Sequence, residues 1–219
     1  DFEVEAYRTG SDPVRYPNTN WWDELIKPVS TQHKYGVTLN GGNDRVTYFV
    51  SVNGQMQDGI YHKSATDYNQ VNVRSNVDVQ VTKSFKIGFD ISARQQNKNY
   101  SAFPGKDYGI FYQTLRAFPT ATAYYPNGLL RWGSNPVALV QDITGYDKTK
   151  VNTINTTITA KWDLDFITKG LSIEGHAAYD LVNSAQKQWQ TPWDGYNYNE
   201  VTQEYDKKVY TEWAYPSLS

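Results

Sequence analysis

From Val71 to Arg94 the chain reads VNVRSNVDVQVTKSFKIGFDISAR, and this alternation limits the possible folds more than any other stretch. Val71, Val73, Val77, Val79 and Val81 fall on one parity, and Asn72, Arg74, Asn76, Asp78 and Gln80 on the other. That is the two-residue period of a strand with unlike faces. After Thr82-Lys83-Ser84 the pattern restarts, with Phe85, Ile87, Phe89, Ile91 and Ala93 set against Lys86, Gly88, Asp90, Ser92 and Arg94. The two runs form an antiparallel hairpin with one wholly uncharged face. Such a face can be covered in two ways: by the core of a soluble sandwich or by lipid.

The same period recurs on both sides of this hairpin. A strand is expected from about His33 to Asn40, with Tyr35, Val37 and Leu39 on one face, followed by a turn at Gly41-Gly42-Asn43-Asp44 whose glycines accept positive φ. The return strand runs from about Arg45 to Gln57, and Phe49 is the one aromatic on its polar side. Later, Ile154, Ile158, Ala160, Trp162 and Leu164 alternate with polar residues. After a turn around Thr168-Lys169-Gly170, so do Leu171, Ile173, Ala177, Tyr179 and Leu181. A seventh strand of poor period is expected around Val201 to Trp213.

Between these runs the order is less regular. Residues Asp1 to Thr9 suit a short helix closed by Gly10. The stretch GSDPVRYPNTNWWDELIKP reads as a structured loop carrying Trp21 and Trp22, with a turn of helix at Asp23 to Ile26. Alternation disappears from Gln95 to about Lys150. Within that segment Tyr108 to Phe118 suits a helix. Asn135 as N-cap, Pro136 at the first helical position and Gly145 beyond Ile143 delimit another. A further long aromatic loop is expected from Ser184.

Short and long connections alternate strictly along the chain, as in an outer-membrane barrel with short periplasmic turns and long extracellular loops. The polar face is mostly Asn, Gln, Ser and Thr, which suits a wide aqueous lumen. Tyr48, Phe85 and Trp162 lie near short turns on the apolar parity, where an aromatic girdle belongs. The expected fold is therefore all-β, an antiparallel transmembrane barrel segment whose loops contain short helices. Six or seven strands leave two unpaired edges, which lipid does not tolerate. One arc of a much larger barrel resolves this. The expected layout within one domain is an extracellular loop at 1–32, two hairpins at 33–94, a long extracellular loop at 95–150, a hairpin at 151–183, and a loop with a possible next strand at 184–219. The alternative is a soluble β-rich carbohydrate-binding module.

Composition narrows the chemistry. The 219 residues include no cysteine, so neither a disulfide framework nor a cysteine metal site can form. A formal net charge of -2 without a basic cluster gives no electrostatic case for nucleic acid. No apolar run is long enough for a membrane helix, an observation that does not bear on barrel strands.

Three pieces then carry a resemblance: YPNTNWWDELI from Tyr16, VTLNGGNDRVTYFVSVNGQMQDGIY from Val37, and YNQVNVRSNVDVQVTKSFKIGFDISAR from Tyr68. In order and spacing over about Gly10 to Arg94 they resemble the early barrel region of the SusC/RagA family of TonB-linked outer-membrane transporters. NPVALV from Asn135 and the last hairpin are also similar. The resemblance implies a large barrel in outer-membrane lipid of a Gram-negative cell, with an N-terminal plug and energy delivered by the TonB complex. It also implies a SusD-like surface lipoprotein that helps capture oligosaccharides or, in some members, peptides. No TonB box, plug or terminal strand is recognisable, so the remaining strands and plug are expected elsewhere in a longer polypeptide.

Catalysis has no visible centre and no cofactor is expected. His33, His62 and His176 are far apart, without ligand-pair spacing for a metal. Asp163 and Asp165 share a strand face but fall beside a short turn, as solvated strand-end charges do. No phosphate loop, GxSxG elbow or HExxH helix is present. Binding has better candidates, because the loops are rich in aromatics mixed with Asn, Asp and Gln, among them Phe103, Tyr108, Phe111, Tyr112 and Tyr198. Flat rings stack on sugars, yet they suit a lipoprotein lid or packing within the loop equally well. The residues expected to contact substrate are Tyr124, Tyr125, Trp132, Trp189, Trp193 and Tyr196, with Trp132 and Trp193 foremost.

Overall fold

The computed structural model describes residues 2–103, 106–133 and 135–210. Six strands form one antiparallel meander in chain order: β1 (Gln32–Gly42), β2 (Val46–Asp58), β3 (Asp67–Gln80), β4 (Phe85–Ser101), β5 (Gly145–Asp163) and β6 (Ser172–Gln190). The strands lengthen from 11 residues in β1 to 19 in β5 and β6. Register is continuous from edge to edge. Tyr48, Val77, Phe89, Ile158 and Ala177 form one cross-strand row, and Val37, Val52, Val73, Ala93, Ile154 and Leu181 form another.

Among the described residues, no second layer covers this apolar face. The main contacts of each of the six strands are with its sheet neighbours, and Val71 and Val73 are 52% and 41% exposed. A soluble sandwich would have buried these valines, because water-exposed apolar patches of this extent are not sustained on soluble monomers. The soluble-module alternative therefore lacks the sheet partner it requires.

The apolar band has a definite height. On β4 the outward residues are apolar from Phe85 to Ala93, and the next row, Val71–Gln95–Asn152–Asn183, is amide-rich. From Phe85 to Ala93 is about 27 Å of strand at about 3.4 Å per residue. At a strand tilt of about 40° this gives roughly 20 Å along the bilayer normal, close to the ~25 Å band of outer-membrane barrels. At the short-turn edge of the band the Phe85 and Trp162 rings meet edge-on, 6.1 Å apart, and Trp162 lies 6.4 Å from Phe166.

The strands continue past the band, which the sequence pattern did not reveal. β4 runs to Ser101, β5 begins at Gly145 and β6 ends at Gln190, so the irregular segment expected over 95–150 is 102–144. The loop expected from Ser184 starts after Gln190. Above the band both strand faces carry mostly polar side chains, so the alternation that marks a strand fades while the backbone ladder persists. The expected seventh strand over Val201 to Trp213 is instead a separate hairpin, β7 (Trp193–Asn199) and β8 (Glu204–Tyr210), forming its own two-stranded sheet. Val201 sits in its turn, where the Val201 amide donates to Asn199 Oδ1 at 3.0 Å. Residues 211–213 of that expected strand lie outside the described residues.

The turns have local causes. Between β1 and β2, Asn43 Oδ1 accepts from the Arg45 and Val46 amides at 2.9 and 3.0 Å. A Cβ on Gly42 would lie 2.4 Å from the Val46 carbonyl oxygen, so close strand approach is what requires glycine there. Between β5 and β6, Asp165 Oδ1 accepts from the Gly170 amide at 2.6 Å, and Asp163 pairs with Lys161 at 3.7 Å.

Among the described residues, the α-helices lie before β1, as α1 (Phe2–Thr9) and α2 (Trp21–Leu25), and in the β4–β5 connection, as α3 (Lys106–Arg116) and α4 (Pro136–Leu139). Gly10 ends α1 at φ +60. Asn20 caps α2 by accepting from the Trp22 amide at 3.2 Å. Asn135 caps α4, with Pro136 in its first turn. The long connections and the β7–β8 hairpin share the buried apolar core, which includes Trp21, Leu25, Tyr61, Ile110, Val140 and Trp193. The molecule is thus a single-layer sheet topped by a packed loop cap.

Candidate functional site: the aromatic cap and the polar wall

The cap is held together by aromatic rings with polar handles. Trp21 is buried and its indole N–H donates to the Phe118 carbonyl at 2.9 Å. Tyr61, with no exposed surface, donates its hydroxyl to Asp107 Oδ1 at 2.6 Å, tying the β2–β3 connection to the first turn of α3. Burial, then the Asp107 carboxylate, pushes the Tyr61 phenol well above its ordinary value, so it remains a donor at any physiological pH. A cavity of about 160 Å³ opens beside this bond, lined by Asp58, Asp67, Tyr68 and Lys98 among others.

A second tie joins the hairpin to the long loop. Tyr210 stacks between Trp132 and Trp193, with ring centroids 3.7 and 4.1 Å away, and its hydroxyl bonds the backbone of Gly133. The Trp132 amide donates to the Tyr196 carbonyl, and the Tyr196 amide to the Leu130 carbonyl, both at 2.8 Å. Tyr125 is buried edge-on against Tyr205, at 4.8 Å, and its hydroxyl accepts from the Tyr198 amide. Tyr124 bonds Gln141, and the Lys63 ammonium lies 5.0 Å over its ring.

The six candidate substrate contacts thus lie in different settings. Trp193 and Tyr125 are walled in by the cap itself, 6% and 5% exposed, and their faces pack against protein. Trp132, Tyr124 and Tyr196 are half-buried in the same framework. Trp189 is exposed on β6, across from Tyr146, and on the outward parity rather than over the lumen. The composition marked these loops as aromatic but did not show which rings pack against one another.

Two of the other loop aromatics, Tyr108 and Tyr112, lie on a better-placed surface than the six expected contacts. On α3 the buried side is Ile110 and Thr114, while Tyr108, Tyr112 and Leu115 face solvent, with Phe118 exposed just beyond the helix. The Tyr108 and Tyr112 rings stack at 6.4 Å, and the Arg116 guanidinium covers Tyr112 at 5.3 Å. The i, i+4 spacing of Tyr108, Tyr112 and Arg116 is the sequence signal that sets these rings apart from the other loop aromatics.

Below the cap, the polar face of the sheet forms an amide-rich wall. Asn155 donates to Asp180 at 2.6 Å, Lys86 pairs with Asp78 at 3.0 Å, and Gln96 donates to Tyr68 at 2.7 Å. Phe49, Arg74 and Arg94 line an open depression of about 400 Å³ with Asn53, Asn72 and Asn155. His176 faces Thr159 on this wall. Among the described residues, no group of three or more His, Asp or Glu is placed to hold a metal ion.

A single-layer sheet with an apolar band, a polar wall and loops gathered at one rim defines a segment of an outer-membrane-type barrel. Comparison with known proteins agrees. The chain is 29% identical over 128 residues to TonB-dependent receptor P26 of Formosa agariphila, a match covering 58% of the chain and 12% of that receptor. It is 33% identical over 82 residues to TonB-dependent receptor P3 of the same organism, covering 37% of the chain and 8% of the receptor. In fold it resembles a chain of the RagAB peptide importer in its 'closed-closed' state, with a TM-score of 0.60 and 18% identity, over 79% of this chain and 20% of that one. No family model matches the chain. In sequence it resembles TonB-dependent receptors, in fold it resembles a segment of a chain of the RagAB importer, and it spans a small part of the length of the relatives it matches.

Proposed function

We propose that the chain forms one arc of the wall of an outer-membrane importer that takes up oligosaccharides or peptides. A SusD-like lipoprotein serves as lid, and energy arrives through TonB by way of a plug carried elsewhere in the polypeptide. The single observation carrying this reading is the uncovered apolar face of β1 to β6, bounded above by an amide row and below by aromatic rings. Lipid is the solvent that such a face requires. The long unpaired edges of β1 and β6 are then completed by neighbouring barrel strands.

The cap rim is extracellular in this reading, and the Tyr108–Tyr112 stripe of α3 is its contact for substrate or lid. Stacked tyrosines beside a guanidinium suit either a sugar ring or a peptide side chain. Peptide cargo draws support from the likeness to the RagAB peptide importer. The test is uptake of labelled oligosaccharides and of labelled peptides by cells with and without a functional TonB complex. Uptake that needs both the transporter and TonB supports the proposal, and uptake unchanged by deletion of either overturns it.

A further inference from the structure

The outward face continues above the apolar band and there turns basic. In register above the Gln95–Asn152–Asn183 row come Asn69–Asn97–Lys150–Ala185 and then Asp67–Asn99–Lys148–Lys187. Lys148 and Lys187 are directly opposed across the β5–β6 pair, an arrangement of like charges that destabilises a sheet unless an anion answers it. Both ammonium groups lie over the Tyr146 ring, 4.9 and 5.9 Å from its centroid. Among the described residues, no carboxylate forms an ion pair with Lys148, Lys150 or Lys187. The nearest carboxylates in register are occupied. Asp67 lies two strands from Lys148 and accepts from Asn69 and Asn99 at 2.9 Å, and Asp147, on the opposite parity, accepts from Gln186 at 2.8 Å.

The three lysines and the flanking asparagines border an open depression of about 440 Å³. Lys150 and Lys148 sit about 14 and 20 Å along β5 beyond Ile154, the last aliphatic residue on that face, at about 3.4 Å per residue. At barrel tilt that is the level of lipid headgroups, within reach of side chains that snorkel back toward the interface.

We propose that Lys148, Lys150 and Lys187, with Asn97, form a binding site on the outside of the barrel for the phosphate of an anionic lipid headgroup in the adjoining leaflet. The inference rests on the barrel reading above. The lysines supply charge, the Asn97 amide supplies a donor to a phosphate oxygen, and the Tyr146 ring holds the two opposed ammonium groups in place. Lipid bound there would screen the Lys148–Lys187 repulsion and fasten β5 to β6 from outside.

The test uses the complete transporter that carries this segment, placed in phosphatidylcholine nanodiscs with or without monophosphorylated lipid A. Lipid retained per barrel is counted by native mass spectrometry. Wild type should retain the phosphorylated lipid in preference to its dephosphorylated form. Each Lys→Gln substitution at 148, 150 or 187 should weaken retention about fivefold, as expected for one surface charge against an anionic headgroup. Heat-modifiable gel mobility confirms that K148Q, K150Q and K187Q remain folded, and T157Q on the opposite face serves as control. Equal retention by wild type and the triple variant overturns the inference, as does displacement of the lipid by millimolar inorganic phosphate. Failure of the complete protein to fractionate with the outer membrane would instead overturn the barrel reading.

Discussion

The Tyr61 hydroxyl donates to Asp107 Oδ1 across 2.6 Å, joining two connections that are 46 residues apart in the chain. Tyr61→Phe keeps the ring in the core but leaves the Asp107 carboxylate without its partner. It should cost about 1–3 kcal/mol of cap stability, read as faster hydrogen exchange in 58–66 and α3, with exchange in the β-sheet unchanged.

The same bond has a pH signature. The Tyr61 phenol is raised in the folded protein, so its contribution is fully present below the ordinary phenol value of about 10 and is lost as pH climbs toward the raised value. Ultraviolet titration should find one tyrosine ionising late, together with cap opening, and Tyr61→Phe should abolish that step. A cap that opens at the same alkaline pH in both proteins would contradict this.

Trp193 stacks on Tyr210 at 4.1 Å and is almost wholly buried. Trp193→Ala should therefore destabilise the cap by about 3–5 kcal/mol, releasing the β7–β8 hairpin to proteolysis. Tyr108→Ala and Tyr112→Ala, on the exposed stripe, should leave proteolysis unchanged and weaken binding of substrate or lid. Their loss of binding, measured by calorimetry with the complete transporter, separates a recognition surface from a structural one.

Lipid and lumen faces predict opposite tolerance to charge. Ile158→Lys, at mid-band on the outward parity, should cost about 2–4 kcal/mol of barrel stability, as measured for lysine at a bilayer midplane. Its neighbour Thr157→Lys points to the polar wall and should cost under about 0.5 kcal/mol. Refolding titrations into lipid vesicles compare the two directly, and equal costs would refute the assignment of faces.

Gly145 opens β5 at φ +107, with a would-be Cβ 2.0 Å from the Trp189 carbonyl oxygen. Gly145→Ala should cost about 1–3 kcal/mol through backbone strain and clash, fraying the top of the β5–β6 pair. Exchange of the Trp189 and Gln190 amides would report it.

The features governed by local rules are legible in the amino-acid order. Val71 to Arg94 alternates because a strand between unlike surroundings must separate its faces, and Asn135 and Gly10 mark helix ends because capping is settled within a few residues. The rest follows from contacts between distant parts of the chain. Above the band, where Gln95, Lys150 and Gln186 lie in strands with mostly polar side chains on both faces, only inter-strand hydrogen bonds reveal strand. The fate of each loop aromatic depended on which distant ring met it. Trp132 and Trp193 were packed away by Tyr210, while Tyr108 and Tyr112 stayed exposed because Ile110 and Thr114 took the core side of α3. Lys148 and Lys187 became neighbours only through the β5–β6 register, since cross-strand pairing brings together residues that no window along the chain can contain.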